Sequence, residues 1–329
     1  MKILIVNNTA IPAFKYGGTE RVIWGLGKYL VAMGHEVTFL VAAGSSCPFA
    51  KVLFYNPSIS LEKQIPADTD VVHIQFQTEE KLSVPYITTY HGNNNHPFTF
   101  DINTVFISHN QAKRYHGNCV VYNGLDWNDY GKPQLTNQRR YVHFLANAAW
   151  KVKNVKGAIA ISKMANEKLY VLGGHRFNFN MGIRLTFDTH VRFKGMVGGN
   201  EKNNYLQGSK AMIFPVLWHE PFGLAIIESL YFGCPVFGTT YGSLPELIVP
   251  QVGFTSNSMQ ALAEALKESD SFSRKACHEY AAENFNAQKM TEGYLALYQK
   301  VMNGEKLHTT APYFGEEDIQ KEKRLPMQP

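Results

Sequence analysis

Cysteine is scarce in this sequence. The 329 residues contain only four, without a C-x-x-C pair or the spacing of metal ligands. They are Cys47, Cys119, Cys234 and Cys277. This pattern excludes a disulfide framework and a zinc site of the usual spacing, and it favours reduced thiols.

Long apolar runs are also missing, since no stretch approaches the ~20 residues that span a bilayer. The N-terminus reads MKILIVNN and then turns polar, without a small-residue cleavage site. It predicts a first buried strand rather than a signal peptide. We therefore expect a cytoplasmic protein.

A strong charge of one sign is absent as well. The net charge is +5. Residues 1–130 carry 9 Lys and Arg against 10 Asp and Glu, and the remainder carries 23 against 17. No basic run is interleaved with aromatic residues, so nucleic acid is not an expected partner. The basic second half suits a small anionic ligand, and at most a weak peripheral membrane contact is expected.

Short apolar runs alternate with helical stretches, which predicts a parallel α/β architecture. We expect domains at 1–130 and 131–302, joined by a linker around 123–138, and a tail at 303–329. The predicted strands of the first half are residues 2–6, 36–41, 52–55, 71–75, 85–90, 105–107 and 120–122, with a helix at 19–32. The second half is predicted to hold strands at 142–145, 169–172, 190–194, 211–214 and 235–238, with helices at 155–166 and after Pro221.

The most informative segment, residues 219–236, contains two glutamates. Glu220 precedes a helix predicted to begin near Pro221, and Glu228 lies within it. Eight helical steps would span ~12 Å, about the distance from the hexose to the ribose of a nucleotide sugar. Free amides at Phe222 and Gly223 would face the anionic centre of that ligand. Two surface glutamates at this spacing are common, so the spacing alone leaves a solvated helix face open.

The surrounding letters E-P-F-G-L-A-I-I-E-S-L-Y-F-G-C-P-V resemble the E-x7-E motif of the retaining family-four glycosyltransferases. The resemblance implies that Glu220 faces the transferred sugar and Glu228 the ribose, with Phe222, Gly223 and Leu224 at the donor. Bulky residues replace the small ones that are common before the final glycine, and they read as packing positions.

Two further segments of the second half are similar to the same family. Thr240-Tyr241-Gly242-Ser243-Leu244-Pro245-Glu246 resembles its G-G-x-P-E loop, which would place Glu246 at the donor; a helix-start acid is the alternative. Lys156-Gly157 resembles the lysine segment that neutralises the leaving diphosphate. Lys151 stands where the family has arginine and offers a point charge without the guanidinium fork. A solvated face of the run K-V-K-N-V-K is the alternative for both lysines.

The first half adds a glycine pair and a histidine. Gly17 and Gly18 follow the first strand and could approach a phosphate closely, although a tight turn explains them equally. The run is not G-x-G-x-x-G, which disfavours a dinucleotide dehydrogenase. G-G-T-E-R-V and G-H-E-V-T-F resemble the family's opening, and T-x-H-G resembles the segment whose histidine, here His91, contacts the donor sugar. His73, in mid-strand, reads as structural.

The resemblance covers roughly residues 1–300 and implies two Rossmann-like, doubly wound α/β domains facing across a cleft (GT-B). It implies a metal-independent, retaining transfer of a hexosyl group without a cofactor, with Glu220, Lys156 and His91 as catalytic residues. The donor would be a UDP- or GDP-sugar and the acceptor a glycan, a lipid-linked sugar or a small molecule. Two alternatives stay open: a GT-B nucleotide-sugar epimerase and a non-catalytic sugar-nucleotide-binding protein.

Overall fold

The computed structural model describes residues 1–13, 17–179, 181–322 and 325–328. The chain forms two compact units. The first comprises Met1–Asp126 with Phe285–Lys321, and the second comprises Trp127–Asn284 with Glu322–Pro329. Each unit contains one six-stranded parallel sheet flanked by helices, which confirms the predicted α/β class with two Rossmann-like sheets.

The first unit is built on a sheet in the order β3-β2-β1-β4-β5-β7, all strands parallel. Renumbered within the unit, this is the 3-2-1-4-5-6 order of a Rossmann sheet. The strands are β1 (Lys2–Val6), β2 (Glu36–Val41), β3 (Lys51–Phe54), β4 (Val71–Ile74), β5 (Tyr86–Tyr90), β6 (Phe98–Thr99), β7 (Thr104–Phe106) and β16 (Tyr313–Phe314). The helices are α1 (Gly18–Ala32), α2 (His109–Arg114), α9 (Ala287–Met302) and α10 (Glu316–Glu322), with a 3-10 turn at Leu61–Gln64.

Helix α1 shows why these elements pack as they do. Its buried stripe contains Val22, Ile23, Leu26 and Leu30, the spacing of one apolar helical face. Gly27 lies where a Cβ would come within 2.3 Å of the Phe39 ring on β2. The glycine therefore allows the helix to approach the sheet closely.

The last part of the chain differs from the domain boundaries expected from the sequence, because residues 285–321 belong to the first unit. On α9, Tyr298 bonds His73 Nδ1 at 2.8 Å, and Tyr294 lies 3.1 Å from the Thr89 hydroxyl. Further on, β16 pairs antiparallel with β6 within residues 303–329, which the sequence predicts as a C-terminal tail. An apolar stripe predicts a helix but does not say which sheet it covers.

The second unit repeats the same topology. Its parallel sheet has the order β12-β9-β8-β13-β14-β15, again 3-2-1-4-5-6 within the unit. The strands are β8 (Tyr141–Leu145), β9 (Leu169–Leu172), β10 (Phe177–Asn178), β11 (Arg184–Leu185), β12 (Val191–Phe193), β13 (Ser209–Phe214), β14 (Val236–Gly238) and β15 (Gly253–Thr255). The helices are α3 (Val155–Met164), α4 (Gly199–Gln207), α5 (Leu224–Tyr231), α6 (Leu244–Leu247), α7 (Met259–Lys267) and α8 (Arg274–Asn284).

Two predicted details are wrong. Residues 120–122 form no strand and meet β7 through the single bridge Phe106–Val120, because the run is too short to continue the ladder. Helix α5 begins at Leu224 rather than near Pro221, because Gly223 takes a left-handed conformation at φ 95°. Glu220 therefore lies outside the helix, and the ~12 Å helical span from Glu220 to Glu228 does not apply.

Candidate active site

Three loops meet at the carboxyl ends of β8, β13 and β14 in the second unit. The amide of Leu217, after β13, donates to the carbonyl of Val152, after β8, at 2.7 Å. Asn154 Nδ2 donates to the carbonyl of Pro215 at 2.9 Å. This edge includes the point between β8 and β13 where the strand order reverses, the usual place for a ligand in an open α/β sheet.

Glu220 is held at this edge through one carboxylate oxygen. Lys153 Nζ and Trp218 Nε1 both donate to Oε2, each at 2.6 Å. The ammonium of Lys153 also lies 4.6 Å from the centre of a Trp218 ring, within cation–π range. In the described part of the chain no donor contacts Oε1 of Glu220. The carboxylate is thus oriented by one oxygen and presents the other.

The loop after β14 fixes the backbone of the same residue. The amide of Ser243 donates to the carbonyl of Glu220 at 3.0 Å, and its hydroxyl donates to the carbonyl of Phe222 at 2.5 Å. Gly242, at φ 65°, lies so close that a Cβ would be 2.2 Å from the Glu220 nitrogen. Only glycine fits there without displacing the turn that carries Glu220.

Glu228 lies in α5 and is almost completely buried. Its carboxylate accepts hydrogen bonds from the Tyr130 hydroxyl, at 2.7 Å, and from the ammonium of Lys202. That ammonium is also 5.0 Å from the centre of the Tyr130 ring. The negative charge of Glu228, the residue predicted to bind the ribose, is therefore compensated by the buried Lys202.

The two other predicted lysines line a cavity of about 270 Å³. Lys156 is in the first turn of α3, whose N-cap Asn154 accepts from the Gly157 amide at 3.0 Å. Lys151 lies beside Gly182, where a Cβ would be 3.2 Å from its Cε. The remaining lining residues are Ala148, Ala149, Trp150, Val155, Asn178, Met181, Ile183, Arg184 and Leu217. Glu220, Glu228 and Glu246 are not among these described lining residues.

The other predicted donor residues of this unit surround the Glu220 turn. Phe222 is buried, Gly223 is the N-cap of α5, and Leu224 is its first residue. Glu246 is half-buried in the short helix α6, directly after the loop that contains Gly242. These positions connect the E-x7-E segment with the G-S-L-P-E loop.

The predicted residues of the first unit lie at the carboxyl edge of its own sheet. Gly17 is the N-cap of α1 and Gly18 its first residue; a Cβ on Gly17 would meet that of Ala13 at 2.5 Å. His91 follows β5, and its Nε2 bonds Gln75 Oε1 at 2.8 Å. Because an amide oxygen only accepts, Nε2 carries the proton. Burial lowers the pKa of His91 to about 4, so the ring is neutral near pH 7.

Sequence reasoning missed five residues that contact the predicted ones: Tyr130, Lys153, Lys202, Trp218 and Gln75. Lys153 belongs to the run K-V-K-N-V-K, but the sequence did not distinguish the buried lysine from its two exposed neighbours. Tyr130 lies in the expected linker and Lys202 in a polar helix, and no motif marks either one. Gln75 directly follows a strand, a position that could have drawn attention to it.

Within the part of the chain that the structure describes, no group of three or more His, Cys, Asp or Glu is arranged to hold a metal ion. Among the helices of the described ranges, none combines the length and hydropathy required to cross a bilayer.

Two Rossmann-like sheets, one in each unit, are the architecture of the GT-B fold. The family profile described as glycosyl transferases group 1 matches residues 129–284. Over these residues the chain is similar to the group 1 glycosyltransferases, which supports a transferase.

The chain is also similar in sequence to two curated proteins. The chain is 22% identical, over 371 aligned positions, to N-acetyl-alpha-D-glucosaminyl L-malate synthase of Bacillus anthracis, covering 88% of this chain and 96% of that protein. It is 26% identical over 117 residues to an uncharacterized 41.2 kDa protein in the cps region of Klebsiella pneumoniae, covering 33% of this chain and 32% of that protein.

Solved structures share the fold. AviGT4, a glycosyltransferase involved in avilamycin A biosynthesis, superposes with a TM-score of 0.74 at 19% identity, covering 92% of this chain and 98% of that one. Anabaena Alr3699/HepE, in complex with UDP and glucose, gives a TM-score of 0.62 at 16% identity, covering 91% and 99%.

Proposed function

We propose that the protein transfers a hexosyl group from a nucleotide diphosphate sugar to an acceptor hydroxyl, with retention of anomeric configuration and without a metal. The observation that carries this proposal is the anchoring of Glu220. Its Oε2 is bound by Lys153 and Trp218, whereas Oε1 stands without a partner in the described residues. A carboxylate held in this way is suited to accept a hydrogen bond from a sugar hydroxyl.

The two exposed lysines of the cavity would act on the leaving group. As the bond between the anomeric carbon and the diphosphate oxygen breaks, negative charge grows on that oxygen. Lys151 and Lys156 would stabilise this charge in the transition state. The acceptor oxygen would form its bond to the anomeric carbon from the same face and pass its proton to the departing phosphate. No protein nucleophile is needed for this route.

The remaining predicted residues would position the donor. Glu228, fixed by Tyr130, would bind the ribose hydroxyls, and Glu246 would assist at the Glu220 turn. Phe222, Gly223 and Leu224 would surround the diphosphate. In the first unit the neutral ring of His91 would exchange a hydrogen bond with a sugar hydroxyl, and the Gly17 and Gly18 amides would approach the phosphates. We place this reaction in the cytoplasm.

Relatives support a nucleotide donor in general terms. HepE has been solved with UDP-glucose, and starch synthase IV of Arabidopsis thaliana with ADP. For this chain we propose a UDP- or GDP-sugar donor, and a glycan, lipid-linked sugar or small molecule as acceptor. A thermal-shift panel of UDP-, GDP- and ADP-sugars tests the base, since a ligand at ~100 times its Kd stabilises the fold by ~2.7 kcal/mol.

Substitution of the donor residues tests the reaction itself. Lys156→Ala and Glu228→Ala should each reduce donor hydrolysis or transfer by more than about tenfold, because each removes a charge that binds the donor. Lys168→Ala, which removes an exposed lysine outside the cavity, is the matched control and should retain activity. Full activity in either test variant would refute the assignment.

Two further measurements distinguish the alternative functions. Product NMR would reveal an epimerase, which changes the donor sugar without an acceptor. Donor binding without turnover would reveal a binding protein.

A further inference from the structure

One segment of the second unit exposes its large apolar side chains and buries polar ones. Six large apolar side chains at alternate positions between β10 and the start of the loop after β11 are 49% to 74% exposed. We call them the apolar face: Phe177, Phe179, Met181, Ile183, Leu185 and Phe187. Clustered exposed apolar residues on a water-soluble unit mark an interaction surface more often than chance.

Polar side chains hold the opposite side of this segment. Arg184 is buried and donates to the Thr186 hydroxyl at 2.7 Å and to the carbonyl of His175 at 2.8 Å. Arg176 donates to the carbonyls of Thr186 and Asp188 at 3.0 and 3.1 Å. Since successive residues of a strand point to opposite sides, the inward Arg184 directs its neighbours Ile183 and Leu185 outward. The display is thus fixed by internal hydrogen bonds.

The stretch of sequence that contains the apolar face is strongly basic, and two of its lysines, Lys151 and Lys156, line the same cavity as Met181 and Ile183. Residues 151–194 contain nine Lys and Arg against two Asp and Glu, a balance of +7. Five of the nine are exposed: Lys151, Lys156, Lys163, Lys168 and Arg192. Two copies of such a surface would repel each other, whereas an anionic partner would be attracted.

We propose that the apolar face docks on an anionic lipid surface. Its phenylalanine, leucine and isoleucine side chains would enter the boundary between headgroups and acyl chains, and the surrounding lysines would contact lipid phosphates. Met181 and Ile183 also line the cavity that contains Lys151 and Lys156. The docked face is therefore continuous with the cavity, which suits an enzyme whose acceptor lies at a membrane.

Vesicle co-sedimentation of the full chain tests this proposal. We expect the protein to sediment with phosphatidylcholine vesicles that contain phosphatidylglycerol, less with phosphatidylcholine alone, and less at high salt. The triple variant Phe179→Ser, Leu185→Ser and Phe187→Ser should lower the partition coefficient by roughly tenfold or more, since three apolar contacts are lost. None of these three residues lines the cavity.

A matched triple variant controls for the loss of surface hydrophobicity. Phe54→Ser, Ile59→Ser and Phe254→Ser remove three exposed apolar residues elsewhere and should sediment like the parent chain. Thermal unfolding of both variants verifies that they are folded.

Three results would overturn the proposal: no binding to the mixed vesicles, equal binding by the Phe179, Leu185 and Phe187 variant, or a concentration-dependent dimer that this variant abolishes in place of lipid binding. Donor hydrolysis in solution should be the same in both triple variants and the parent. The proposal of lipid docking can therefore be refuted while the proposed transfer stands, or the reverse.

Discussion

Lys153 and Glu220 form a buried ion pair with 2.6 Å between the lysine Nζ and the glutamate Oε2. Their side chains are only 10% and 9% exposed. Burying both charges is costly, and their attraction together with the hydrogen bond from Trp218 offsets that cost. The pair therefore fixes one orientation of Glu220, the residue on which the proposed sugar contact depends.

Replacing Lys153 should reveal the free-energy cost of burying the charge of Glu220. Lys153→Met leaves the carboxylate of Glu220 buried without its partner, and we expect the free energy of unfolding to fall by about 3–5 kcal/mol. Urea denaturation measures the change. The double variant with Glu220→Gln should recover part of it. Lys163→Met, which breaks the exposed pair with Asp188 at 3.5 Å, is the control and should cost less than about 1 kcal/mol. Equal losses in the two single variants would contradict a buried ion pair.

Gly242 provides a test of how the Glu220 turn is held. In Gly242→Ala the new Cβ would lie 2.2 Å from the Glu220 nitrogen and 2.4 Å from its oxygen, so the turn has to move. We expect reduced transfer together with reduced thermal stability. Gly44→Ala is a matched control, because Gly44 also has a positive φ (88°) but no atom within 4 Å of the added Cβ. It should cost only the left-handed strain of about 1–2 kcal/mol and leave transfer unchanged. Unchanged transfer in Gly242→Ala would show that the reaction does not depend on the position of the Glu220 turn.

The sheets could be predicted well from the sequence because their strands are buried on both faces. Strands β1, β2 and β9 begin and end at the predicted residues, since near-continuous apolar runs leave little choice. The segment Phe177–Asn178 and its partner Arg184–Leu185 escaped prediction. Their apolar residues point outward, so the usual rule that an apolar face is buried gives no guide there.

Residues of the site could be predicted from the sequence only where they belong to a recognisable motif. Glu220 and Lys156 were identified by resemblance, whereas Lys153 was not, although it lies between two identified lysines. Its burial depends on the left-handed Asn154 (φ 56°), whose side chain binds the carbonyl of Pro215 from a distant loop. Such tertiary contacts have no local signature. The same holds for α9, whose pattern predicts a helix but not the sheet it covers.

The contact between Gln75 and His91 should set the protonation of the histidine. Gln75→Glu would place a carboxylate 2.8 Å from Nε2, and an adjacent negative charge favours the imidazolium. We expect the pKa of His91 to rise from about 4 towards neutrality. NMR titration of the ring protons measures this pKa. Gln75→Leu removes the hydrogen bond without adding charge and should leave the pKa low. A similar rise in both variants would show that the amide, rather than burial, lowers the pKa.

Two fully buried histidines make stability depend on pH. His143 bonds the hydroxyls of Ser209 and Ser229, and burial lowers its pKa to about 3. Burial likewise lowers the pKa of His73 well below its usual value. In the unfolded chain both titrate near 6.5. Below that pH the unfolded state binds more protons than the folded state, so acid favours unfolding. Their contribution is complete above pH 6.5 and declines as the pH falls towards the folded values.

Urea unfolding between pH 7.5 and about 4.5 isolates this effect, because most carboxylates stay ionised over that range. Each histidine that is neutral when folded and protonated when unfolded contributes a slope of about 1.4 kcal/mol per pH unit. His143→Gln should reduce the slope below pH 6.5 by about that amount, whatever it does to absolute stability. His116, which is exposed and bonds Asp318 at 3.1 Å, supplies the control. Because the His116 side chain is exposed, His116→Gln should leave the slope unchanged. An unchanged slope in His143→Gln would mean that His143 is protonated inside the folded core.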